Sequence, residues 1–132
     1  MGGASGPLWG SFFRATGRSL GELPTVTPEP FAAALRDGLG AVTDLGAAER
    51  GEKTMVDALG PAIERLEQGP FDDLPVLLRA AAESARLGAH DTIQLQARKG
   101  RASYLGERSI GHEDPGAASA AIVMDALARA AG

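Results

Sequence analysis

The sequence contains no cysteine, so disulfide bonds and thiolate metal sites are excluded. Aromatic residues make up only 5% of the chain, and no apolar run approaches the ~18 residues that a membrane span requires. The N-terminus lacks the basic-then-apolar pattern of a signal peptide. Acidic residues outnumber basic ones, for a net charge of -4, which argues against binding to nucleic acid or to an anionic membrane. We therefore expect a cytoplasmic protein without disulfides and without nucleic-acid or membrane partners.

Glycine, by contrast, is abundant. The 18 glycines are roughly double the usual share for 132 residues, and they cluster at the ends of apolar segments, where chains turn. With 44% hydrophobic and 23% charged residues, the composition is that of one globular domain over residues 1–132. No segment alternates between apolar and polar residues, and no internal repeat is found. The sequence therefore predicts an all-α fold, an antiparallel bundle of about five helices.

Start and stop signals place the five helices. The predicted starts, each at a residue type that favours the N-cap, are Ser5, Thr27, Thr54, about Asp72, and Asp114. Proline follows the cap in the second and fifth helices, and Asp57 is placed to complete a capping box with Thr54. The first helix is expected to give way to a loop at residues 17–25. The second should stop at Gly46, and the fourth should continue to about Arg98.

Apolar residues recur at steps of three and four within these helices, which is the spacing of one buried helix face. They are Phe31, Leu35, Leu39 and Val42 in the second helix; Met55, Leu59, Ile63 and Leu66 in the third; Leu74, Leu77, Leu78, Ala81, Ala85, Gly88, Thr92 and Leu95 in the fourth; and Ile122, Val123, Ala126, Leu127 and Ala130 in the fifth. We expect these stripes to form the core.

Gly2, Gly3, Ala4 and Ser5 lie at the predicted start of the first helix. Exposed backbone N–H groups, the helix dipole and a serine hydroxyl at one place are suited to holding an anion such as a phosphate. An ordinary glycine-rich turn with a serine cap is the alternative. No Walker motif is present, because no Gly-Lys-Ser/Thr sequence follows.

A long connection, rich in glycine and charge, covers residues 96–117, and connections of this kind in compact domains are usually functional. Its basic residues Arg98, Lys99, Arg101 and Arg108 are donors suited to phosphoryl oxygens. The alternative is a solvated basic loop, tied by salt bridges to its own acidic residues Glu107, Glu113 and Asp114.

Other chemistry receives weaker support. His112 beside its acidic neighbours is a candidate acid or base but is more typical of a turn, and His90 has no convergent partner in the sequence. Ser103 or Ser109 with His112 would make a nucleophile and base, yet neither serine lies in a G-x-S-x-G motif. Two scattered histidines predict no metal site.

Three motifs occur in the order in which one family carries them. They are GGASGPLWGSFF at 2–13, GEKTMVDAL at 51–59 and ARKGRASYLGERSIGHEDPGA at 97–117. With them the chain resembles, over essentially all its length, the L subunit of dihydroxyacetone (glycerone) kinase, which is also the C-terminal nucleotide-binding domain of the single-chain enzymes. The resemblance implies that residues 1–132 are the C-terminal part of such a domain, with about five helices of the family's eight-helix antiparallel barrel.

The resemblance also implies a function. Members of the family bind ADP or ATP with Mg²⁺ at one end of the barrel and phosphorylate dihydroxyacetone, which the partner K subunit holds covalently on a histidine. In the phosphotransferase-system form, the M subunit rephosphorylates tightly bound ADP with phosphate that originates from phosphoenolpyruvate. Either donor fits this sequence, and either dihydroxyacetone or a related small ketose fits as acceptor.

The family's site residues carry over motif by motif. Ala4 and Ser5 would contact the phosphates, and Gly46 and Met55 would border the nucleotide. Arg101 would reach the phosphates and assist the transfer. The nucleotide would be covered by a short segment made of Asp114, Pro115 and Gly116.

One element of the family pattern is missing from these residues. A metal-binding aspartate cluster of the G-D-x-D-x-G kind belongs upstream of the glycine turn, and the 132 residues contain none. We therefore expect this chain alone to bind nucleotide very weakly and to lack kinase activity, because phosphoryl transfer relies on a cation to neutralise the phosphates. The alternative is a non-catalytic helical module that binds a partner or a nucleotide.

Overall fold

The computed structural model of the protein describes residues 5–22 and 27–132. Over these ranges it contains no strand, and its five α-helices are α1 (Ser5–Leu20), α2 (Pro28–Gly46), α3 (Val56–Glu67), α4 (Leu74–Asp91) and α5 (Pro115–Ala130). Two segments of 3₁₀-helix, Thr92–Gln94 and Arg101–Ser109, lie between α4 and α5. The all-α prediction and the expected helix count are confirmed. None of the described helices is long and apolar enough to cross a membrane.

Neighbouring helices pack in chain order. The main contacts join α1 to α2, α3 to α4 and α4 to α5, and α3 also touches α2 and α5. Short connections at residues 47–55 and 68–73 reverse the chain between packed helices, as in an antiparallel bundle. Because α3 contacts three other helices, it is the central element of the bundle.

The apolar stripes predicted for α2, α3 and α4 are buried except at Phe31, Leu74 and Leu95, which are half-buried, and Leu95 lies beyond the end of α4. In α3, Leu59 and Ile63 are 0% exposed and Leu66 is 1% exposed, so each side chain contributes about 1.5–3 kcal/mol relative to an exposed position. At the other side of the bundle, Trp9 and Phe12 lie edge to face with ring centroids 5.7 Å apart. Phe13 stacks on Trp9 and remains half exposed.

The face predicted for α5 is wrong in part: Leu127 packs against the core and Val123 is half-buried, but the other three residues are exposed. Ile122 is 69% exposed, and Ala126 and Ala130 are also exposed. The residues that α5 buries are Ala117, Ala120, Met124 and Ala128. Alanines occur on every side of this helix, so the periodicity does not single out one face, and close packing against the small residues of α4 decides it.

Two predicted helix ends are also wrong. The first helix continues past Gly17 to Leu20, because one glycine in a helix costs only about 1 kcal/mol and the packing of α1 on α2 outweighs this. The fourth helix stops at Asp91 rather than near Arg98. Beyond Asp91 the chain tightens into the 3₁₀ segment Thr92–Gln94, and a side chain from another part of the chain, described below, bonds to the carbonyl groups of Thr92 and Leu95.

Helices α3 and α4 approach each other backbone to backbone at Gly88. A Cβ atom on this residue would lie 2.2 Å from the carbonyl oxygen of Asp57 and 3.2 Å from the ring of Pro61. Such a distance is far inside van der Waals contact, so any larger residue forces the two helices apart. The glycine therefore sets the spacing between the start of α3 and the end of α4.

Gly88→Ala is predicted to lower the free energy of unfolding by about 1–3 kcal/mol, the usual cost of overpacking a core. Gly17→Ala is the matched control, because no neighbouring atom lies within 4 Å of its Cβ position. The control should raise stability by about 0.5–1 kcal/mol, since alanine is the better helix former. Urea unfolding followed by circular dichroism measures both, and equal stability of Gly88→Ala and wild type would contradict the interpretation.

Candidate functional site

Three helix N-termini lie at one end of the bundle. The C-terminal residue of α2, Gly46, has its Cβ position 3.2 Å from Leu8 in the first turn of α1. Residues 47–55 then lead directly into α3. In the first turn of α5, Gly116 has its Cβ position 3.6 Å from the backbone nitrogen of Met55. The starts of α1, α3 and α5 therefore share this end, which we call the N-terminal end of the bundle.

Met55 and Gly116 form the contact between α3 and α5. Met55 is 4% exposed, and a Cβ atom on Gly116 would lie 3.9 Å from the Cβ of Met55. The backbone N–H of Met55 donates to no acceptor within residues 5–22 and 27–132. An amide without a protein partner, beside a glycine and two helix N-termini, is the kind of local structure that accepts an anion.

The start of α3 is held by its own acidic residue. Asp57 accepts hydrogen bonds from the backbone nitrogens of Gly51 (2.6 Å) and Thr54 (2.9 Å). Thr54 in turn accepts from the nitrogen of Val56 at 3.1 Å. The predicted capping box is therefore half formed: Asp57 reaches back as expected, whereas the hydroxyl of Thr54 bonds two residues on rather than three.

Asp114 caps α5 from a buried position. Its carboxylate accepts from the backbone nitrogen of Ala117 at 2.8 Å, and its own nitrogen donates to the hydroxyl of Thr92 at 2.9 Å. Burial raises the pKa of the Asp114 carboxyl above its ordinary value. The negative charge of Asp57 acts in the same direction, while the Ala117 N–H and the ammonium of Lys53 oppose it.

The basic loop is built from two 3₁₀ turns that meet at Gly106, whose φ of 58° and ψ of -131° are not helical. Ser109 bonds across the loop, accepting from the Ala97 nitrogen at 2.8 Å and donating to the Gly106 carbonyl at 2.7 Å. Ser103 donates to the Gly100 carbonyl at 2.6 Å. Both hydroxyls thus serve the turns, which leaves the serine-nucleophile alternative without support.

Arg101 begins this 3₁₀ segment and is exposed. Its guanidinium forms no hydrogen bond or ion pair with the part of the chain that the structure describes. Of the four basic residues in the loop, only Lys99 forms a described ion pair, with Glu52 at 3.9 Å. The alternative in which Glu107, Glu113 and Asp114 tie the loop's basic residues therefore does not hold for the described contacts.

The predicted site residues fall into three groups. Met55, Asp114, Pro115 and Gly116 are brought together at the contact of α3 and α5, while Gly46 closes α2 at the same end. Arg101 stands in the connection that leads to this end, without contact to the others. Ser5 is the first residue of α1, and Ala4 lies outside the described residues.

Lys53 is the residue that sequence reasoning missed. It is 5% exposed, and its ammonium donates to the carbonyl oxygens of Thr92 (2.8 Å), Leu95 (3.1 Å) and His112. These acceptors are 39, 42 and 59 residues away along the chain, so no local pattern signals the bonds. In the sequence, Lys53 stands between Glu52 and Thr54, a pattern that is typical of a solvent-exposed turn.

Two clefts lie on the surface, the larger of them beside the candidate site, where Ala47 and Val56 line it. One of about 430 Å³ lies between α4 and α5, and one of about 610 Å³ lies between α2 and α3. None of the predicted nucleotide-binding residues at 46, 55, 101 and 114–116 lines them. The candidate site is therefore an end surface made of helix starts and one loop.

Divalent metal binding does not fit this surface. Within the described ranges, no group of three or more histidine, cysteine, aspartate or glutamate side chains is arranged to hold a metal ion. The magnesium ion that the resemblance implies therefore has no matching set of ligands among these residues.

Asp114→Asn is predicted to remove a pH dependence of stability. Because the pKa of Asp114 is higher in the folded than in the unfolded chain, the folded state binds more protons between the two values, and wild-type stability falls as pH rises through that window. Asparagine keeps an acceptor for the cap without titrating. Urea unfolding at several pH values measures this. The free energy of unfolding of the variant should rise relative to wild type as pH increases from the ordinary aspartate pKa to the raised pKa, and the difference should stay constant at higher pH.

Glu67→Gln is the control of opposite sign. A hydrogen bond from Arg36 lowers the pKa of Glu67. The wild-type protein should therefore lose stability relative to Glu67→Gln as pH falls from the ordinary glutamate pKa through the lowered pKa. A difference between wild type and Asp114→Asn that does not change with pH would contradict the assignment.

Comparison with known proteins identifies the family. The model of the DAK2 domain matches residues 1–129. The ADP-binding subunit DhaL of the PEP-dependent dihydroxyacetone kinase of Escherichia coli (strain K12) is 49% identical over 99% of this chain and 63% of its own length.

Solved structures agree with this match. The native dihydroxyacetone kinase of C. freundii superposes with a TM-score of 0.69 at 35% identity, over 98% of this chain and 21% of that protein. The structure of the C. freundii dihydroxyacetone kinase in complex with AMP-PNP and Mg²⁺ superposes with a TM-score of 0.66 at 34% identity. The match covers 98% of this chain and 20% of that protein. The chain thus spans less than two thirds of the length of these relatives. Its sequence and its fold alike make this chain a member of the DAK2 domain family.

Proposed function

We propose that this chain is the nucleotide-binding part of a dihydroxyacetone kinase, a phosphotransferase that binds ADP or ATP at the N-terminal end of its helical bundle. The observation that carries the proposal is the meeting of three helix starts at the residues that the family motifs mark. The backbone N–H groups in the first turn of each helix have no acceptor within that helix, so those that are exposed at this end are suited to a nucleotide's phosphates.

Each described residue at this end has a distinct role in the proposal. The first turns of α1 and α5, with Ala4 and Ser5 preceding or beginning α1, hold the phosphates through backbone N–H groups. Gly46 and Met55 border the nucleotide. The segment from Asp114 to Gly116 closes over it, and the missing side chain at Gly116 leaves the Met55 amide without a covering Cβ atom on that side.

Arg101 is the catalytic residue in this proposal. When bound, the nucleotide supplies the phosphoryl group, and a planar guanidinium with several donors stabilises the charge that develops on the phosphoryl oxygens. The proposal is supported by the exposure of Arg101 and by its lack of an ion pair within the described chain, because a guanidinium already bound to a carboxylate would have to give up that partner first.

We propose no step through magnesium, because the described residues do not provide its ligands. For the same reason we expect the 132-residue chain on its own to bind nucleotide weakly and to show no kinase turnover. The non-catalytic helical module remains the alternative function and is an outcome of the tests below.

The proposed partners are the K subunit, which holds dihydroxyacetone, and the M subunit of the phosphotransferase system, which would recharge bound ADP from phosphoenolpyruvate in the cytoplasm. The choice of this form over an ATP-dependent one is supported by the 49% identity to the PEP-dependent subunit of E. coli. A related small ketose as acceptor is the alternative to dihydroxyacetone.

ADP titration followed by amide NMR shifts tests the proposal. We expect weak but saturable shifts that concentrate at Met55, at Gly116 and in the first turn of α1, with little change on adding Mg²⁺. Absence of saturable shifts would leave only a partner-binding module. Magnesium-dependent turnover by this chain would contradict the expected inactivity.

Arg101→Ala is predicted to weaken ADP binding about 10- to 100-fold, the equivalent of losing a charge-assisted hydrogen bond of about 1.5–3 kcal/mol. Arg108→Ala is the matched control, since it removes an equally charged, exposed residue from the same 3₁₀ segment. Equal losses in the two variants would mean that the loop acts only through its overall charge.

A further inference from the structure

Lys53 is a buried cation that bonds to backbone alone. Its side chain is almost wholly covered, and each of the three N–H donors of its ammonium meets a different carbonyl oxygen, those of Thr92, Leu95 and His112. Its backbone is left-handed, with φ of 65°, a conformation that a lysine adopts only where surrounding contacts impose it. Burial of a charge is tolerated here because every donor has an acceptor.

The three carbonyls stand at the two ends of one loop. Thr92 and Leu95 precede it, at the end of α4, and His112 follows it, directly before the cap of α5. A backbone hydrogen bond joins the same two ends, because the nitrogen of Gly111 donates to the carbonyl of Ile93 at 2.7 Å. A single ammonium group therefore clamps both ends of the loop that carries Arg101.

The clamp also joins the loop to the start of α3. Lys53 lies two residues before Met55, whose amide faces Gly116, and the neighbouring carbonyl of Glu52 accepts from the nitrogen of Arg98 at 3.0 Å. Loss of the ammonium would leave three carbonyls without this donor and would loosen the loop where it meets the start of α3, with the Arg98–Glu52 backbone bond still in place. The segments whose positions would change on loss of the ammonium are those that carry Met55, Arg101 and Asp114.

We infer that Lys53 is a positioning residue for nucleotide binding: it sets the Arg101 loop and the start of α5 against the start of α3. The inference rests on the proposed function of this end of the bundle. Lys53 itself does not contact the nucleotide in this account, because its ammonium is fully occupied.

Lys53→Met tests the inference by removing the donors while keeping an unbranched side chain. We expect ADP affinity to fall by about tenfold or more, because displacing binding groups by roughly an ångström has effects of this size. Hydrogen exchange should quicken for the amides of residues 97–111 and stay unchanged in the core of α2 and α3. Amide NMR titration with ADP and exchange mass spectrometry provide the two readouts.

Arg129→Met is the control, since this residue lies in the last turn of α5, away from the loop, and forms an exposed ion pair with Asp125. Its ADP affinity should stay within about twofold of wild type, as expected for a surface pair. Lys53→Arg is the second variant, in case the methionine protein does not fold. The planar guanidinium keeps the charge but not the three-way geometry, so affinity should be intermediate.

The outcomes separate the two proposals. A folded Lys53 variant with faster loop exchange and wild-type ADP affinity would restrict Lys53 to a structural role, and unchanged exchange would refute the clamp; either result overturns the inference alone. Failure of the wild-type chain to bind ADP would overturn the proposed function and the positioning role together.

Discussion

The three hydrogen bonds of the Lys53 ammonium determine how the second half of the chain is arranged. The carbonyls of Thr92 and Leu95, just beyond the end of α4, both accept from Lys53, and that of Thr92 also accepts from the backbone nitrogen of Leu95. The chain then turns into the basic loop, and the carbonyl of His112 returns it to the same point. A buried charge is costly unless its donors have acceptors, so the Lys53 ammonium ties the end of α4, the loop and the start of α5 to one point.

The remainder of the architecture follows from close approach between helices. With so few aromatic side chains, the bundle relies on aliphatic residues and on backbone contact at glycine, most tightly between Gly88 and Asp57. Asp57 serves twice, because its carbonyl meets α4 while its carboxylate holds the start of α3. The start of α3 is thus fixed from both sides.

Local signals predict some of this structure well and some of it poorly. The starts of α2 and α5 are predicted because the cap and proline are adjacent in sequence, at Thr27-Pro28 and Asp114-Pro115. The end of α4 and the buried face of α5 are not predicted, because residues distant in sequence decide them. The same limit applies to the candidate site: motif residues at helix starts can be named in advance, whereas Lys53 can be assigned a role only when its distant carbonyl partners are known.

The stacked rings near the start of α1 have a spectroscopic consequence. Trp9 is the only tryptophan in the chain, and it lies about one turn from the helix start while touching both Phe12 and Phe13. All fluorescence excited at the red edge of the protein's absorption therefore originates from one indole close to the N-terminal end of the bundle. The emission wavelength and lifetime of this ring report on the ordering of that end without any introduced label.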